Sequence, residues 1–245
     1  MNRMLEATAR AEDTHYWFRG LRRHARILLE EALAGRRLDR IVDCGTGTGR
    51  NLDWLREYGP VVGVEYSPVG LREARRHDRR VAQATVTALP FTDASVDLAT
   101  SFDVLYCLDD DTERRALSEM RRVLKPGGLV LANVAALDIL HGAHSTLTME
   151  VRRYTPSRLR SRLTDAGFRV DRMTFTYMTP LPFALAIRGF QRLTGRSSTA
   201  SEADLRVPPA PLNMAFDAVL KAEAGLLRVM NLPIGTSLIA IARKV

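Results

Sequence analysis

From about residue 40 to residue 175, short apolar and β-branched runs alternate with stretches whose apolar residues recur at helical spacing. The runs "DRIVDC", "PVVGVE", "RVAQAT", "SVDLATS", "GGLVLANV" and "FRVDRMTFTY" predict strands; the intervening stretches predict helices over about 51–58, 69–76, 112–124 and 155–166. Strands that take turns with helices in this way build a parallel sheet covered on its faces. Two of the helices carry start signals: Asp110 with Glu113 reads as a capping box, and Thr155 precedes a proline at the first helical position. Gly127-Gly128 and Gly167 read as their stops.

The flanks break the alternation. Residues 1–35 read as helical, interrupted by the aromatic cluster in "THYWF". Residues 177–232 are rich in proline, methionine and alanine, with a helix predicted near 215–230 and the turn-rich "RVPPAPLN" before it. The last segment, "GTSLIAIARKV", alternates as a closing strand. The 245 residues fit one domain: a helical lid over 1–35, a core over 36–176, a helical insertion over 177–232 and the closing strand over 233–245.

Charge and cysteine usage narrow the classes. No apolar run approaches the ~20 residues of a membrane span, and the start "MNRMLEATARAEDTHYWF" lacks the apolar centre of a secretion signal, so a cytoplasmic location is expected. Cys44 and Cys107 have neither metal-ligand spacing nor a disulfide pattern, so reduced thiols and no metal are expected. The net charge is +8, with lysine only at Lys125, Lys221 and Lys244. The densest basic run, "LREARRHDRR", reads as the solvated face of a helix.

The most informative stretch is "IVDCGTGTGR". A strand ending at Asp43 and followed by Gly45, Gly47 and Gly49 puts a tight turn at the carboxyl edge of the sheet, where open α/β folds bind ligands. Without Cβ atoms the backbone can take positive φ and approach a nucleoside-type cofactor closely. The next strand ends in Glu65, at the distance where an acid accepts from ribose hydroxyls. A dinucleotide loop would read G-x-G-x-x-G, but the third glycine comes one residue early and Arg50 takes the last place. Asp43 would repel a pyrophosphate and suits a cofactor with a cationic amino-acid tail.

These residues resemble the class I S-adenosylmethionine-dependent methyltransferases, in their small-molecule bacterial branch. "VDCGTGTG" looks like the first motif of that family, "GVEYSP" like the second, "ALPFTDASVDLATSFDVLYCLDD" like the adenine-side segment and the strand after it, and "EMRRVLKPGGLVLANV" like the segment into the fifth strand. The resemblance implies a Rossmann-like, doubly wound α/β fold with a mostly parallel seven-stranded sheet, its last strand antiparallel, and S-adenosyl-L-methionine as cofactor. It places Asp43, Gly45, Thr46, Gly47 and Gly49 on the methionine side, Glu65 on the ribose, Tyr66 and Ser67 beside the adenine, and Phe102 and Asp103 beneath the methionine moiety. The family often has an acid receiving the adenine amine where this chain has Thr85; a hydroxyl accepts less strongly, with the backbone of Val86 as the other contact. Trp17 and its neighbours would form a lid, and Arg22 or Arg23 would reach the cofactor carboxylate.

Methyl transfer from a sulfonium is an in-line displacement, so positioning carries much of it and a base is needed only where the nucleophile must lose a proton. Candidates on the loops above the sheet edge are Tyr106, Glu150, His144 and, less strongly, His141, with Tyr16 of the lid. "HYWF", "RRYT" and "LPIGTSL" also resemble a bacterial methyltransferase subgroup, but Ser145 and Met149-Glu150 depart from its pattern where an acceptor would bind. An insertion rich in methionine, phenylalanine, leucine and proline reads first as a packed subdomain; as the wall of a substrate pocket it would imply a large apolar acceptor, isoprenoid, polyketide or lipid-like, with Arg188 for an acidic head group, and a peripheral membrane contact or a homodimer are other uses of the same surface. A nucleic-acid or protein methyltransferase and a non-catalytic nucleotide-binding module stand as alternatives. "SFDVLY" lacks the proline-rich motif of amino-methylating DNA enzymes.

Overall fold

The computed structural model describes residues 2–140, 149–194 and 207–245. Two helices, α1 (Asn2–Ala11) and α2 (Tyr16–Leu33), precede the sheet. Then follow β1 (Ile41–Cys44), α3 (Leu52–Leu55), β2 (Val61–Glu65), α4 (Pro68–Arg76), β3 (Val81–Gln83), β4 (Val96–Phe102), α5 (Asp110–Val123) and β5 (Leu124–Ala135). The chain closes with α6 (Pro156–Asp165), β6 (Phe168–Thr176), α7 (Leu181–Thr194), α8 (Ala210–Leu226) and β7 (Ser237–Lys244).

The strand order is β3-β2-β1-β4-β5-β7-β6. The first five strands pair in parallel, and β7 inserts antiparallel to both β5 and β6, with Leu131 opposite Ile241 and Met173 opposite Ala240. This is the expected seven-stranded Rossmann-like sheet. Because successive side chains leave a strand on opposite faces, the buried strands feed two cores. Val42, Ala99 and Val130 pack with Leu117, Met120 and Leu159 on one face. Ile41, Leu98 and Leu131 pack with Leu28, Trp54 and Leu220 on the other. The order reverses between β1 and β4, and the carboxyl ends of those two strands define the crevice.

Local signals set the helix starts. The Thr155 side chain caps α6 by accepting from the Arg158 amide, and Ser67 caps α4 with Pro68 in its first turn. The cap of α5 falls one residue before the expected one: Asp109 accepts from the Thr112 amide. Glu113 is not a capping-box partner, because it is fully buried and bonded to Arg152 and Tyr154. Gly127-Gly128 do not end α5 either; the helix passes straight into β5 at Leu124, and Gly127 lies inside the strand with φ of 73°. "THYWF" starts a helix rather than only interrupting one: His15 caps α2 by accepting from the Trp17 amide. The insertion contains two described helices where periodicity gave one, since α7 precedes α8 and α8 begins five residues earlier than expected.

Candidate active site

The glycine turn is built by β1 and β2 together. After Cys44 the amides of Gly45 and Thr46 both donate to the Val64 carbonyl, which bends the chain sharply over the sheet edge. Gly45, Gly47 and Gly49 have φ of 77°, 57° and 77°, a conformation that L side chains rarely take. Much of the space vacated by their missing Cβ atoms serves the protein itself. A Cβ at position 45 would lie 2.5 Å from a Val104 methyl, and one at 49 would press on Arg79 and Ala74. At Gly47 it would point towards Leu5 of α1 at 3.3 Å.

Three carboxylates surround this turn, Asp43, Glu65 and Asp103, each with different partners. Asp43 is buried beneath it, and its oxygens accept the hydroxyls of Thr46 (2.7 Å) and Thr100 (2.6 Å). Burial pushes its carboxyl up to about 6 despite those bonds. Asp43 therefore ties the turn to β4. Glu65, at the end of β2, accepts the Gly47 amide at 2.8 Å and the Ser67 amide at 2.7 Å. Each oxygen holds one backbone donor and keeps acceptor capacity for another.

Asp103 follows β4 directly, with φ of 61°. Its amide donates to the Asn133 carbonyl, and its Oδ1 accepts from Asn133 Nδ2 at 2.8 Å. Its Oδ2 has no hydrogen-bond partner among the described residues. Burial, with the nearby Glu150 charge adding to it, pushes this carboxyl up to about 7. Val104, the next residue, is the one that fills the space at Gly45, so Asp103 stands beside the turn at the switch point.

The N-terminal helices cover the turn and are bonded to it. Glu12, at the end of α1, accepts the Thr48 hydroxyl at 2.6 Å, and Asp13 pairs with Arg50. Arg22 donates to the Glu12 carbonyl at 2.7 Å; its other N–H groups have no partner among the described residues. Burial, with Arg50 beside it, lowers its guanidinium to about 10. Trp17 lies flat on Tyr177, with ring centroids 3.9 Å apart, and its carbonyl accepts the Tyr177 hydroxyl. Tyr16 stacks on Phe216 of α8 at 4.8 Å. Tyr66 stands 68% exposed at the end of β2, and Thr85 is engaged with the Thr87 amide and hydroxyl. Phe102 is buried against Trp54.

The acceptor-side candidates separate. His141, His144 and Ser145 lie outside the described residues. Glu150 is engaged by Arg153 in a bidentate pair, both contacts at 3.0 Å, and Arg153 also donates to the Ala136 carbonyl. Tyr106 is buried in the turn after β4, where its carbonyl receives the Val151 amide. "RRYT" is a brace: Arg152 and the Tyr154 hydroxyl both bond to buried Glu113 at 2.6 Å. Glu12 and Tyr177 carry no sign of their place here in the neighbouring residues, because their partners, Thr48 and the Trp17 carbonyl, are distant in the chain. Among the described residues no group of three or more histidines, cysteines or acids could hold a metal.

Fold and site together define a doubly wound α/β protein with a glycine turn and three carboxylates gathered at its topological switch point. A family model described as a methyltransferase domain matches residues 42–132, the span from the turn into β5. The chain is 29% identical over 199 residues to a malonyl–acyl-carrier-protein O-methyltransferase of Enterobacter lignolyticus, covering 79% of this chain and 78% of that one. It is 30% identical to a probable S-adenosylmethionine-dependent methyltransferase of Mycolicibacterium smegmatis, covering 65% of this chain and 62% of the relative's length. Among solved structures it resembles an S-adenosylmethionine-dependent methyltransferase of Methanosarcina mazei, with a TM-score of 0.58 at 17% identity over 89% and 97% of the two chains. It also resembles the Burkholderia thailandensis 1,6-didemethyltoxoflavin N1-methyltransferase, with a TM-score of 0.55 at 19% identity over 93% and 80%. The two structural likenesses show the fold. The protein is a class I S-adenosylmethionine-dependent methyltransferase.

Proposed function

We propose that the crevice between β1 and β4 seats S-adenosylmethionine and that the acceptor is a small, apolar or partly anionic molecule of natural-product, isoprenoid or lipid-like type. The observation that carries the reading is the set of unspent polar groups around the turn. Glu65 retains acceptor capacity at the end of β2, Asp103 Oδ2 is free, and Arg22 has donors to spare. They match the ribose hydroxyls, amine and carboxylate of the cofactor in number and sign. Tyr66 offers an exposed ring for the adenine, with Ser67, Thr85 and Val86 beside it.

Bound S-adenosylmethionine supplies an electrophilic methyl group on a sulfonium. The chain supplies position and exclusion of water. Asp43 fixes the turn through Thr46 and Thr100, and α1 and α2 cover it through Glu12, Asp13 and the Trp17–Tyr177 stack. Holding reactants in one geometry contributes several kcal/mol, on the order of 7–11 in favourable cases. Tyr106 and Tyr16 line the approach, and His144 is the residue proposed to take a proton where the nucleophile carries one. Glu150 orients the segment through Arg153.

The acceptor class is supported by α7 and α8, whose Phe183 and Phe216 join the lid at Tyr16, and by the malonyl–acyl-carrier protein named for the Enterobacter relative. The test is transfer of tritiated methyl from S-adenosylmethionine to separate panels of long-chain and isoprenoid acids, malonyl thioesters, RNA and protein. Label should enter the apolar acids or thioesters. Label confined to RNA or protein would refute the acceptor class.

A further inference from the structure

Asn133 is out of place in its row. On the face of the sheet covered by α2 and α8, β5 presents Leu129, Leu131 and Asn133, and the residues in register with Asn133 are Phe102 of β4 and Ile239 of β7. Those four neighbours are buried and apolar, and Asn133 itself is only 2% exposed. Its carboxamide is half satisfied: Nδ2 donates to Asp103 Oδ1 at 2.8 Å, while Oδ1 has no hydrogen-bond partner among the described residues. A buried acceptor left without a donor costs stability, so a leucine here would serve the core better. Residues that break a local rule in a core mark places where a site needs them.

The need is met at Asp103. Asn133 grips that residue twice, since its main-chain carbonyl also receives the Asp103 amide at 3.1 Å. The backbone bond holds Asp103 at φ of 61°, just past the last residue of β4, and the side-chain bond aligns the carboxylate. With Oδ1 engaged by Asn133, Oδ2 is the oxygen left for a ligand. The titratable groups around Asp103 are Tyr106 and Cys107 on the turn after β4, Glu150 in its pair with Arg153, and Tyr177 after β6, whose own amide goes to Glu223 of α8. None of them donates to the Asp103 carboxylate, and the Glu150 charge opposes its ionisation. Asn133 is the donor among the described residues that favours the charged form.

We infer that Asn133 is a positioning residue of the cofactor seat, holding the Asp103 carboxylate by Oδ1 so that Oδ2 stays open to the cofactor amine. That role deepens the reading of Asp103 as the acceptor of the amine and rests on it for its effect on binding.

Denaturant titration of the ligand-free chain across pH 4–9, with the Asp103→Asn curve subtracted, reads the Asp103 carboxyl alone. Its contribution should fall with rising pH and level off near 7, where the folded carboxyl ionises. In Asn133→Leu, measured against the Asn133→Leu, Asp103→Asn double variant, the levelling should come about one pH unit higher, because the bond that favours the charged form is gone. Calorimetry at pH 7 should then show about fivefold weaker binding of S-adenosylmethionine by Asn133→Leu, narrowing by pH 9, and no further loss when the change is made in Asp103→Asn. Asn133→Asp, of the same shape, should also raise the levelling pH, since two carboxyls at one place resist ionising together, and it serves where the leucine variant does not fold. A levelling pH equal to the parent's in either folded variant, or an equal loss of affinity in the Asp103→Asn background, would overturn the role of Asn133. Parent-like affinity in Asp103→Asn would instead count against the amine's place at Asp103, and the ligand-free curves would still decide what Asn133 does.

Discussion

Asp103 concentrates the tension between stability and binding at a single residue. Its backbone is left-handed, its side chain is half-buried, and one oxygen faces no donor among the described residues. A carboxyl raised to about 7 in the folded protein binds its proton more tightly there than in the unfolded chain. Its contribution to stability is therefore present at low pH and is lost as pH rises through about 7. Asp103→Asn removes that loss, and asparagine tolerates positive φ. The variant should be more stable than the parent at pH 8 by about 2–4 kcal/mol, with the gap closing as pH falls from 7 towards the usual carboxylate range. Affinity for S-adenosylmethionine should behave oppositely. In the parent it should weaken as pH drops through about 7 and the carboxylate proposed to receive the amine is neutralised, whereas the variant should bind weakly and without that dependence. Denaturant titration and calorimetry across pH 5–8 would check both halves.

At the scale of elements, α5, the segment before α6, and α6 are joined through one buried acid. Glu113 receives Arg152 and the Tyr154 hydroxyl at 2.6 Å and lies 3.3 Å from Arg162, while Asp110 at the start of α5 gathers Arg152, Arg158 and Arg162. Removing one member of a buried pair leaves an uncompensated charge, so Glu113→Ala should cost about 3–5 kcal/mol in stability. Tyr154→Phe deletes one hydroxyl bond and should cost about 1–2 kcal/mol. Neither should change affinity for S-adenosylmethionine when measured well below the melting point, because the brace makes no hydrogen bond to the glycine turn, Glu65 or Asp103 among the described residues. A tenfold loss of cofactor affinity in Tyr154→Phe would place the residue in the site instead of in its support.

At the scale of the whole molecule, what the sequence made legible was what is local. The short β-branched runs located all seven strands, and the glycines located the turn between Asp43 and Glu65, because continuous apolar runs and positive φ are written in neighbouring residues. The cap of α5 and the true role of Gly127 were missed because Glu113 is claimed by Arg152 and Tyr154 from another element, and β5 begins with no turn at all. The inward acids of α8 were equally invisible, since their partners are Arg23 and the backbone after β6. Those long-range pairs make the lid, the turn and the cap one coupled surface around the crevice, which gives the cofactor a thermodynamic handle on all of it. A ligand that binds only the native state at about one hundred times its dissociation constant adds about 2.7 kcal/mol. For a chain of this size that raises the melting temperature by about 5–10 °C. S-adenosylmethionine should produce such a shift and NAD none. Glu65→Ala, which strips the acceptor at the end of β2 and releases the amides of Gly47 and Ser67, should abolish most of it. An undiminished shift in that variant would mean that the ribose lies elsewhere.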